Sequence, residues 1–207
     1  MYTDEFGVQF SDDKKTLIEC PKKFEGVYMI PNGVEEIGAM AFANSTVSGV
    51  SIPDSVRAIG SGAFSTCYQL HAIELPPHLE ELADHAFMFS NIESITIPGS
   101  VEVVGDSAFT LCKKLKEVVI SEGVKCIDTY AFNGCENLES VTLPQSVSYI
   151  GPCAFSECGK LKPIALPEVL DFCASSFDSP DKVILPEDTS RIGVIFDDDE
   201  EDDDDEE

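Results

Sequence analysis

The sequence is poor in basic residues and contains no tryptophan. Its 207 residues include 13 Lys and Arg against 39 Asp and Glu, which gives a formal net charge of −26, and only three His. So acidic a chain repels the phosphate backbone of nucleic acids as well as anionic membranes, which excludes a protein that holds nucleic acid on a basic surface. The sequence also lacks any run near the roughly 20 apolar residues that span a bilayer, so we expect no membrane insertion.

The N-terminal residues 1–5 contain neither a cationic region nor the apolar run of a secretory signal. Taken as it stands, the sequence predicts a cytoplasmic protein, whereas removal of a leader would allow an extracellular or cell-surface location. The last eleven residues, 197–207, are all acidic, and residues 1–196 keep a net charge of −15 from 28 acidic and 13 basic residues. With 43% hydrophobic residues, we expect a globular body followed by a disordered acidic tail.

An Ala-Phe dipeptide recurs along the chain and defines a repeat of 22 or 23 residues. Apolar columns lie eight and five residues before each phenylalanine, and a column of mostly small residues lies four before it, as expected where backbone packs closely or adopts positive φ. A unit this short cannot fold alone, so its stability must come from stacked neighbours. The recurring phenylalanines are Phe42, Phe64, Phe87, Phe109, Phe132, Phe155 and, after serine, Phe177. The column eight residues earlier contains Val34, Val56, Leu79, Val101, Val124, Val147 and Val169.

Each repeat also contains a short alternating strand that usually ends at proline, such as Ile95-Thr96-Ile97-Pro98. This alternation predicts one inward and one outward face. A polar-looped hairpin precedes the first repeat, and two apolar strands, at 183–185 and 192–196, follow the last. We therefore divide the chain into an N-terminal capping hairpin (1–25), repeats (26–186), a C-terminal cap strand (187–196) and the disordered acidic tail (197–207).

The unit Leu-x-x-[Ile/Val]-x-[Ile/Leu]-Pro-x-x-Val-x-x-Ile-Gly-x-x-Ala-Phe-x-x-Cys resembles the BspA-type, or treponemal-type, leucine-rich repeat. Residues 138–158 match it throughout, and the resemblance covers roughly residues 25–186. It implies an α/β leucine-rich-repeat solenoid dominated by β-structure, right-handed, with about seven coils. The family is associated with surface proteins of bacteria and protists that bind host matrix proteins or other cells, and it implies no catalytic residue and no cofactor. This sequence departs from the adhesin pattern by lacking a signal peptide and a wall or membrane anchor.

Four of the eight cysteines lie three residues after a repeat phenylalanine, in a column where Ser45 and Ser90 take their place. The serines indicate that the column requires a small, weakly polar residue, which favours buried, reduced, structural cysteine. A disulfide between stacked coils and a zinc site are the alternatives. The four are Cys67, Cys112, Cys135 and Cys158.

The three histidines, His71, His78 and His85, lie seven residues apart. Their spacing could suggest a metal or catalytic site, but the repeat points them in different directions around one coil. We therefore expect surface positions, and we predict no catalytic residue and no metal site.

The outward columns of the predicted strands are where we expect function. Small, largely uncharged side chains on a continuous concave sheet suit contact with a protein or peptide, and a plain solvated sheet face is the alternative. The candidate residues are Ser51, Glu74, Thr96, Val119, Thr142 and Ala165, with Ser94, Glu117 and Ser140 beside them. The sequence thus predicts a non-enzymatic, monomeric protein–protein interaction scaffold, with adhesion implied by the resemblance.

The acidic tail offers a second function. Eleven consecutive acids are commonly a solvating end, but they can also capture basic proteins such as histones. In that alternative the chain is an acidic-tailed chaperone or binder of basic proteins, acting through Asp197, Asp198, Asp199, Glu200, Glu201 and the acids after them.

Overall fold

A computed structural model describes residues 1–196, which form a solenoid of stacked parallel strands. Within this part of the chain, the strands predicted from alternation form a ladder of eight, which we call ladder 1. It divides into hydrogen-bonded groups of three, three and two strands. The strands of ladder 1 are Gly26–Met29, Val47–Ser51, Ala72–Ile73, Ser94–Ile97, Glu117–Ile120, Ser140–Thr142, Ile164–Ala165 and Val183–Ile184.

The repeats also contribute strands to a second ladder, which the sequence does not predict there. These strands contain the apolar column five residues before each phenylalanine, and the ladder also includes strands of the N-terminal hairpin and the strand within 192–196. This ladder 2 is a single sheet of eleven strands. Its first three strands come from the N-terminus and pair antiparallel, and the third then pairs parallel with the first repeat. The strands of ladder 2 are Tyr2–Thr3, Gln9–Phe10, Thr16–Glu19, Glu36–Ile37, Ala58–Ile59, Glu81–Leu82, Val103–Val104, Cys126–Ile127, Tyr149–Ile150, Leu170–Cys173 and Ile192–Ile195.

Helical structure in residues 1–196 is confined to two 3-10 turns, Ala174–Ser176 and Pro180–Lys182. The predicted dominance of β-structure is therefore confirmed. Ladder 1 has eight strands, one more than the number of repeat phenylalanines, because its last strand, Val183–Ile184, follows Phe177.

The repeat phenylalanines form one stacked column through the core. From Phe42 to Phe177, successive ring centroids lie 5.0 to 5.4 Å apart with interplanar angles of 1° to 10°. The rings belong to a single apolar core that extends from Val8 to Phe177. Each coil thus buries its phenylalanine against its neighbours, as a stacked repeat requires.

The third side of each coil is a turn that hydrogen-bonds to the next coil. Phe109 N donates to Ala131 O at 2.7 Å, and the residues two before and two after, Ser107 and Leu111, also donate to the next coil. These two flanking columns adopt left-handed backbone with φ between 52° and 69°. Their non-glycine members are Met40, Asn44, Thr66, His85, Phe89, Ser107, Leu111, Tyr130, Cys153 and Glu157.

The residues four before each phenylalanine are small for a different reason than left-handed backbone. Positive φ does not occur at Gly60, Gly105 or Gly151. A Cβ atom at Gly105 would lie 2.8 Å from the backbone of Ala83 in the preceding coil. Close packing between coils is therefore the correct one of the two explanations for this column.

The last repeat departs from the pattern in one apolar column. The repeat pattern places Val169 in the apolar column eight residues before Phe177, but its exposed fraction is 40%, whereas Leu170 is 1% exposed. Leu170 lies three residues after Pro167, as Val147 lies three after Pro144. Tyr149 nevertheless pairs with Asp171, so the repeat loses its one residue directly after Leu170. The assignment of Val169 is wrong because counting back from Phe177 crosses that deletion.

The two ends of the solenoid differ. At the N-terminus the antiparallel strands cover the core, since Val8 is fully buried and Phe10 is 2% exposed. At the C-terminus the strand within the predicted cap segment 187–196 begins only at Ile192 and pairs parallel with Leu170–Cys173. Val194 and Phe196 remain 46% and 76% exposed. The C-terminal strand extends ladder 2 without covering the end of the core.

Candidate protein-binding face

Ladder 1 brings the predicted site residues of its middle strands together. Thr96 pairs with Val119, and Val119 with Thr142, across three adjacent parallel strands. The neighbouring column is aligned in the same way. It contains Ser94, Glu117 and Ser140. Since adjacent strands lie about 4.8 Å apart, the six side chains form one continuous patch.

The patch points outward because the alternate residues of the same strands point inward. Ile95 and Val118 are buried, whereas Thr96 and Thr142 are exposed and Val119 is half-buried. The predicted orientation of these columns is therefore correct. We call the outward surface of ladder 1 the strand face.

The remaining candidate residues lie on the strand face but in other hydrogen-bonded groups. Ser51 and Glu74 follow the paired residues Val50 and Ile73 in the first group, and Ala165 pairs with Ile184 in the third. All three candidates are exposed. Backbone hydrogen bonds join these groups, since Glu93 N donates to His71 O at 3.0 Å and Lys162 N donates to Glu139 O at 3.1 Å, so the strand face continues along the solenoid. Its most regular part is the set of six aligned side chains in the middle group, which we call the middle patch.

Alternating charges border the strand face. The column just before its strands contains Glu93, Lys116, Glu139 and Lys162. Lys116 Nζ lies 2.7 Å from Glu93 Oε2, and this contact raises the pKa of the lysine and lowers the pKa of the glutamate. Both side chains are about half exposed, so the pair contributes little stability. The Lys116–Glu93 pair instead places charged side chains along the border of the strand face, whereas most side chains within the face are uncharged.

An apolar patch at the N-terminal end of the strand face was missed by sequence reasoning. Phe6, Val27 and Met29 have exposed fractions of 57%, 64% and 73%. The Phe6 ring packs edge-on against Tyr28, with centroids 6.2 Å apart, and Tyr28 Oη donates to Asp4 Oδ2 at 2.7 Å. Phe6 belongs to the N-terminal segment outside the repeat, so no column analysis could place it beside Met29. We call these three residues the N-terminal apolar patch.

The cysteine column forms a line of buried thiols that hydrogen-bond to the backbone. Cys67 donates to the carbonyl of Phe42 at 3.1 Å, and Cys112 donates to that of Phe87 at 3.1 Å. Cys135 and Cys158 repeat the contact in the following coils. All eight cysteines are free thiols. Burial raises the pKa of Cys112 and Cys158 to about 12, so these thiols stay protonated and unreactive at neutral pH.

The histidines and acidic residues form no metal centre in residues 1–196. His71, His78 and His85 are all exposed, as expected. No group of three or more His, Cys, Asp or Glu side chains in this range is arranged to hold a metal ion. The predicted tail residues Asp197, Asp198, Asp199, Glu200 and Glu201 lie outside the described residues.

A comparison with protein-family models shows which family this repeat belongs to. The model of the BspA-type leucine-rich repeat region matches six copies, over residues 23–116 and 103–194. This chain belongs to the BspA-type leucine-rich repeat family. The resemblance drawn from the repeat unit is thereby confirmed.

Solved structures of bacterial leucine-rich repeat proteins share the BspA-type fold of this chain. The T. pallidum leucine-rich repeat protein is 32% identical, with 88% of each chain covered and a TM-score of 0.74. A leucine-rich repeat protein from Bacteroides ovatus is 25% identical over 95% of this chain and 67% of its own, with a TM-score of 0.60. One from Eubacterium ventriosum has the same fold at 22% identity, covering 90% of this chain and 51% of its own, with a TM-score of 0.76. No curated protein matches the chain.

Membership in the BspA-type family indicates a repeat scaffold suited to protein interaction. Leucine-rich repeat proteins are typically non-enzymatic. The two short 3-10 turns of residues 1–196 are far too short to cross a membrane.

Proposed function

We propose that the chain is a non-enzymatic scaffold that binds an extended protein segment or peptide on the strand face. The observation that carries this proposal is the register of the middle patch, where Thr96, Val119 and Thr142 stand side by side. Short side chains in parallel rows leave room for a partner to approach the sheet closely. The charged border then limits which partners can settle there.

The N-terminal apolar patch supports the same proposal, because interfaces need apolar anchors. Phe6 and Met29 expose large apolar surfaces and line one shallow depression together. Val27 lines a second depression with Gly49 and Glu74. Aromatic and methionine side chains are enriched where proteins bind one another. A partner that spans both patches would combine apolar contact at the first coil with polar contact along the middle coils.

Peptide selection can test the strand face without a known partner. We would select a displayed random-peptide library on the full chain and measure each selected peptide against Thr96→Arg/Thr142→Arg. Two bulky cations in the middle patch should weaken face-binding peptides by about tenfold or more. The matched control is Ser61→Arg/Ser148→Arg, which places the same charges on exposed positions away from ladder 1.

The same experiment separates the strand face from the acidic tail. Peptides that bind the face variant as tightly as the wild type would contradict the proposal. If deletion of residues 197–207 abolishes the binding of those peptides, capture of basic proteins by the tail is the function instead. Fractionation of cells that make the protein then distinguishes an adhesion role at the cell surface from a cytoplasmic one.

A further inference from the structure

At the C-terminal end of the solenoid, residues 1–196 leave an apolar groove of about 640 Å³ uncovered. It is the bare end of the core, where an additional coil would pack. Leu185 is 51% exposed there and Val194 46%, in contrast to the covered Val8 and Phe10 at the other end. The apolar residues lining the groove include Phe172, Phe177, Val183, Leu185, Ile192 and Val194.

The groove lies beside an open strand edge. Ile192–Ile195 pairs with Leu170–Cys173 on one side, and no strand within residues 1–196 pairs with its other side. Leu170 N donates to Arg191 O at 3.3 Å. Because backbone groups alternate sides along a strand, the N–H and C=O of Val194 face the open edge. An unpaired edge next to apolar surface is a template for one more strand.

The charges around this end favour a basic occupant. Residues 167–196 contain six acidic and two basic residues. One of those bases, Lys182, is engaged by the preceding coil, since its Nζ lies 2.9 Å from Leu161 O. The chain then continues from Phe196 directly into the eleven acids 197–207. A second copy of the chain would bring the same acids to the same edge and be repelled, whereas lysine and arginine would be attracted.

We propose that the C-terminal end binds an extended peptide segment with alternating apolar side chains followed by lysine or arginine, which adds as the next strand beside Ile192–Ile195. Every second side chain of such a segment enters the groove, and its backbone pairs with the free groups of Val194. The basic residues that follow the segment are attracted by the acidic excess of residues 167–196. This surface is separate from the strand face, and different variants test the two.

The test uses the full chain and a fluorescein-labelled synthetic peptide of six alternating valine and threonine residues followed by six lysines. Fluorescence anisotropy measures its binding at low salt. Val194→Pro removes the free N–H at the open edge and should weaken binding by about tenfold. The matched control Val194→Ala shortens the same side chain but keeps the N–H, and it should weaken binding by about threefold or less.

Two further peptides separate the contribution of the positive charges to binding from that of the alternating strand segment. Replacing the six lysines with glutamates should reduce binding by about tenfold or more, and the six lysines alone should bind about tenfold more weakly than the full peptide. Equal binding by the lysines alone would overturn the proposal, because the acids would then suffice without the strand edge. Equal binding by the glutamate peptide would overturn the basic character of the occupant.

Stability and self-association are measured alongside. If Val194→Pro lowers the melting temperature, Leu185→Asn replaces it, since this half-exposed side chain lines the groove away from the strand. It should weaken binding by about threefold. Unchanged binding by Leu185→Asn or by a stable Val194→Pro contradicts the proposal. If sedimentation instead reveals concentration-dependent dimerisation that Val194→Pro abolishes, the strand edge binds a second copy of the chain, which contradicts the proposal of a peptide.

Discussion

The middle coils and the last coil follow the same repeat but have different backbones. In the middle, Ser107 and Leu111 flank Phe109 in left-handed conformations, and their N–H groups donate to the next coil. In the last coil, the corresponding Ser175 lies in a 3-10 turn and Ser179 is extended, with φ of −164°. Left-handed backbone costs a non-glycine residue about 1–2 kcal/mol. The comparison indicates that a following coil, which accepts those hydrogen bonds, is what sustains the unfavourable conformation.

The coil before the last one is intermediate. Cys153 and Glu157 are left-handed, but their N–H groups donate to the side chains of Ser175 and Asp178 instead of to backbone carbonyls. Side chains of the last coil thus replace its missing backbone acceptors. The regularity of the solenoid fades over its final two coils.

The largest difference should come from truncating the stacked phenylalanines. Phe109 is fully buried between two parallel rings, with centroids 5.3 and 5.1 Å away, whereas Phe177 stacks on Phe155 alone. We expect Phe109→Ala to lower the free energy of unfolding by about 4 kcal/mol, and Phe177→Ala by at least about 1 kcal/mol less. Urea unfolding followed by circular dichroism measures both. Equal losses would show that the last coil is as tightly packed as the middle.

The next effect should appear at alkaline pH. The buried cysteine column belongs to the earlier coils, since the position three after Phe177 is Pro180. Burial raises the pKa of Cys112 to about 12 in the folded chain, from an ordinary value near 9. Folded and unfolded states both keep the proton below pH 9, and only the unfolded state releases it between 9 and 12. Stability is therefore lost as pH rises, by roughly 2–3 kcal/mol for this thiol between pH 8 and 11.

The variant Cys112→Ser isolates that contribution. Its unfolding free energy, measured under reducing conditions at pH 8 and pH 11, should fall by roughly 2 kcal/mol less than that of the wild type. Cys126→Ser is a second test on the outer side of ladder 2. Burial raises the pKa of that thiol to about 11, so this substitution should also reduce the fall, by slightly less than Cys112→Ser. A pH dependence unaltered by Cys112→Ser would mean that this thiol is solvated in the folded chain.

The smallest effect compares two serines in the same repeat column. Ser107 has φ of 54°, so Ser107→Gly should relieve strain and leave stability unchanged or raise it by about 0.5 kcal/mol. Ser175 Oγ accepts a hydrogen bond from Cys153 N at 3.3 Å and has no such strain, so Ser175→Gly should cost about 1 kcal/mol. Thermal unfolding of the two variants measures the difference in sign. A loss at Ser107 would remove the argument that the middle turns are strained.

Sequence periodicity predicted the fold where one residue type recurs at a fixed spacing. The phenylalanine column, the buried thiols and the outward orientation of Thr96 and Thr142 all follow from it. Ladder 2 could not be predicted in this way, because most of its repeat strands, such as Val103–Val104, have only two residues, too few to show alternation. The left-handed columns could not be predicted from glycine, because only Gly62 and Gly134 among their members are glycine and tertiary hydrogen bonds hold residues such as Leu111 there. Phe6 escaped because it lies outside the repeat.

The phenylalanine column also determines how the molecule can be observed. Parallel rings about 5 Å apart couple their electronic transitions, and no indole band obscures them in a chain without tryptophan. The near-ultraviolet circular dichroism of phenylalanine should therefore report the order of the stack itself. The chain carries an intrinsic optical probe that runs through its repeats from Phe42 to Phe177.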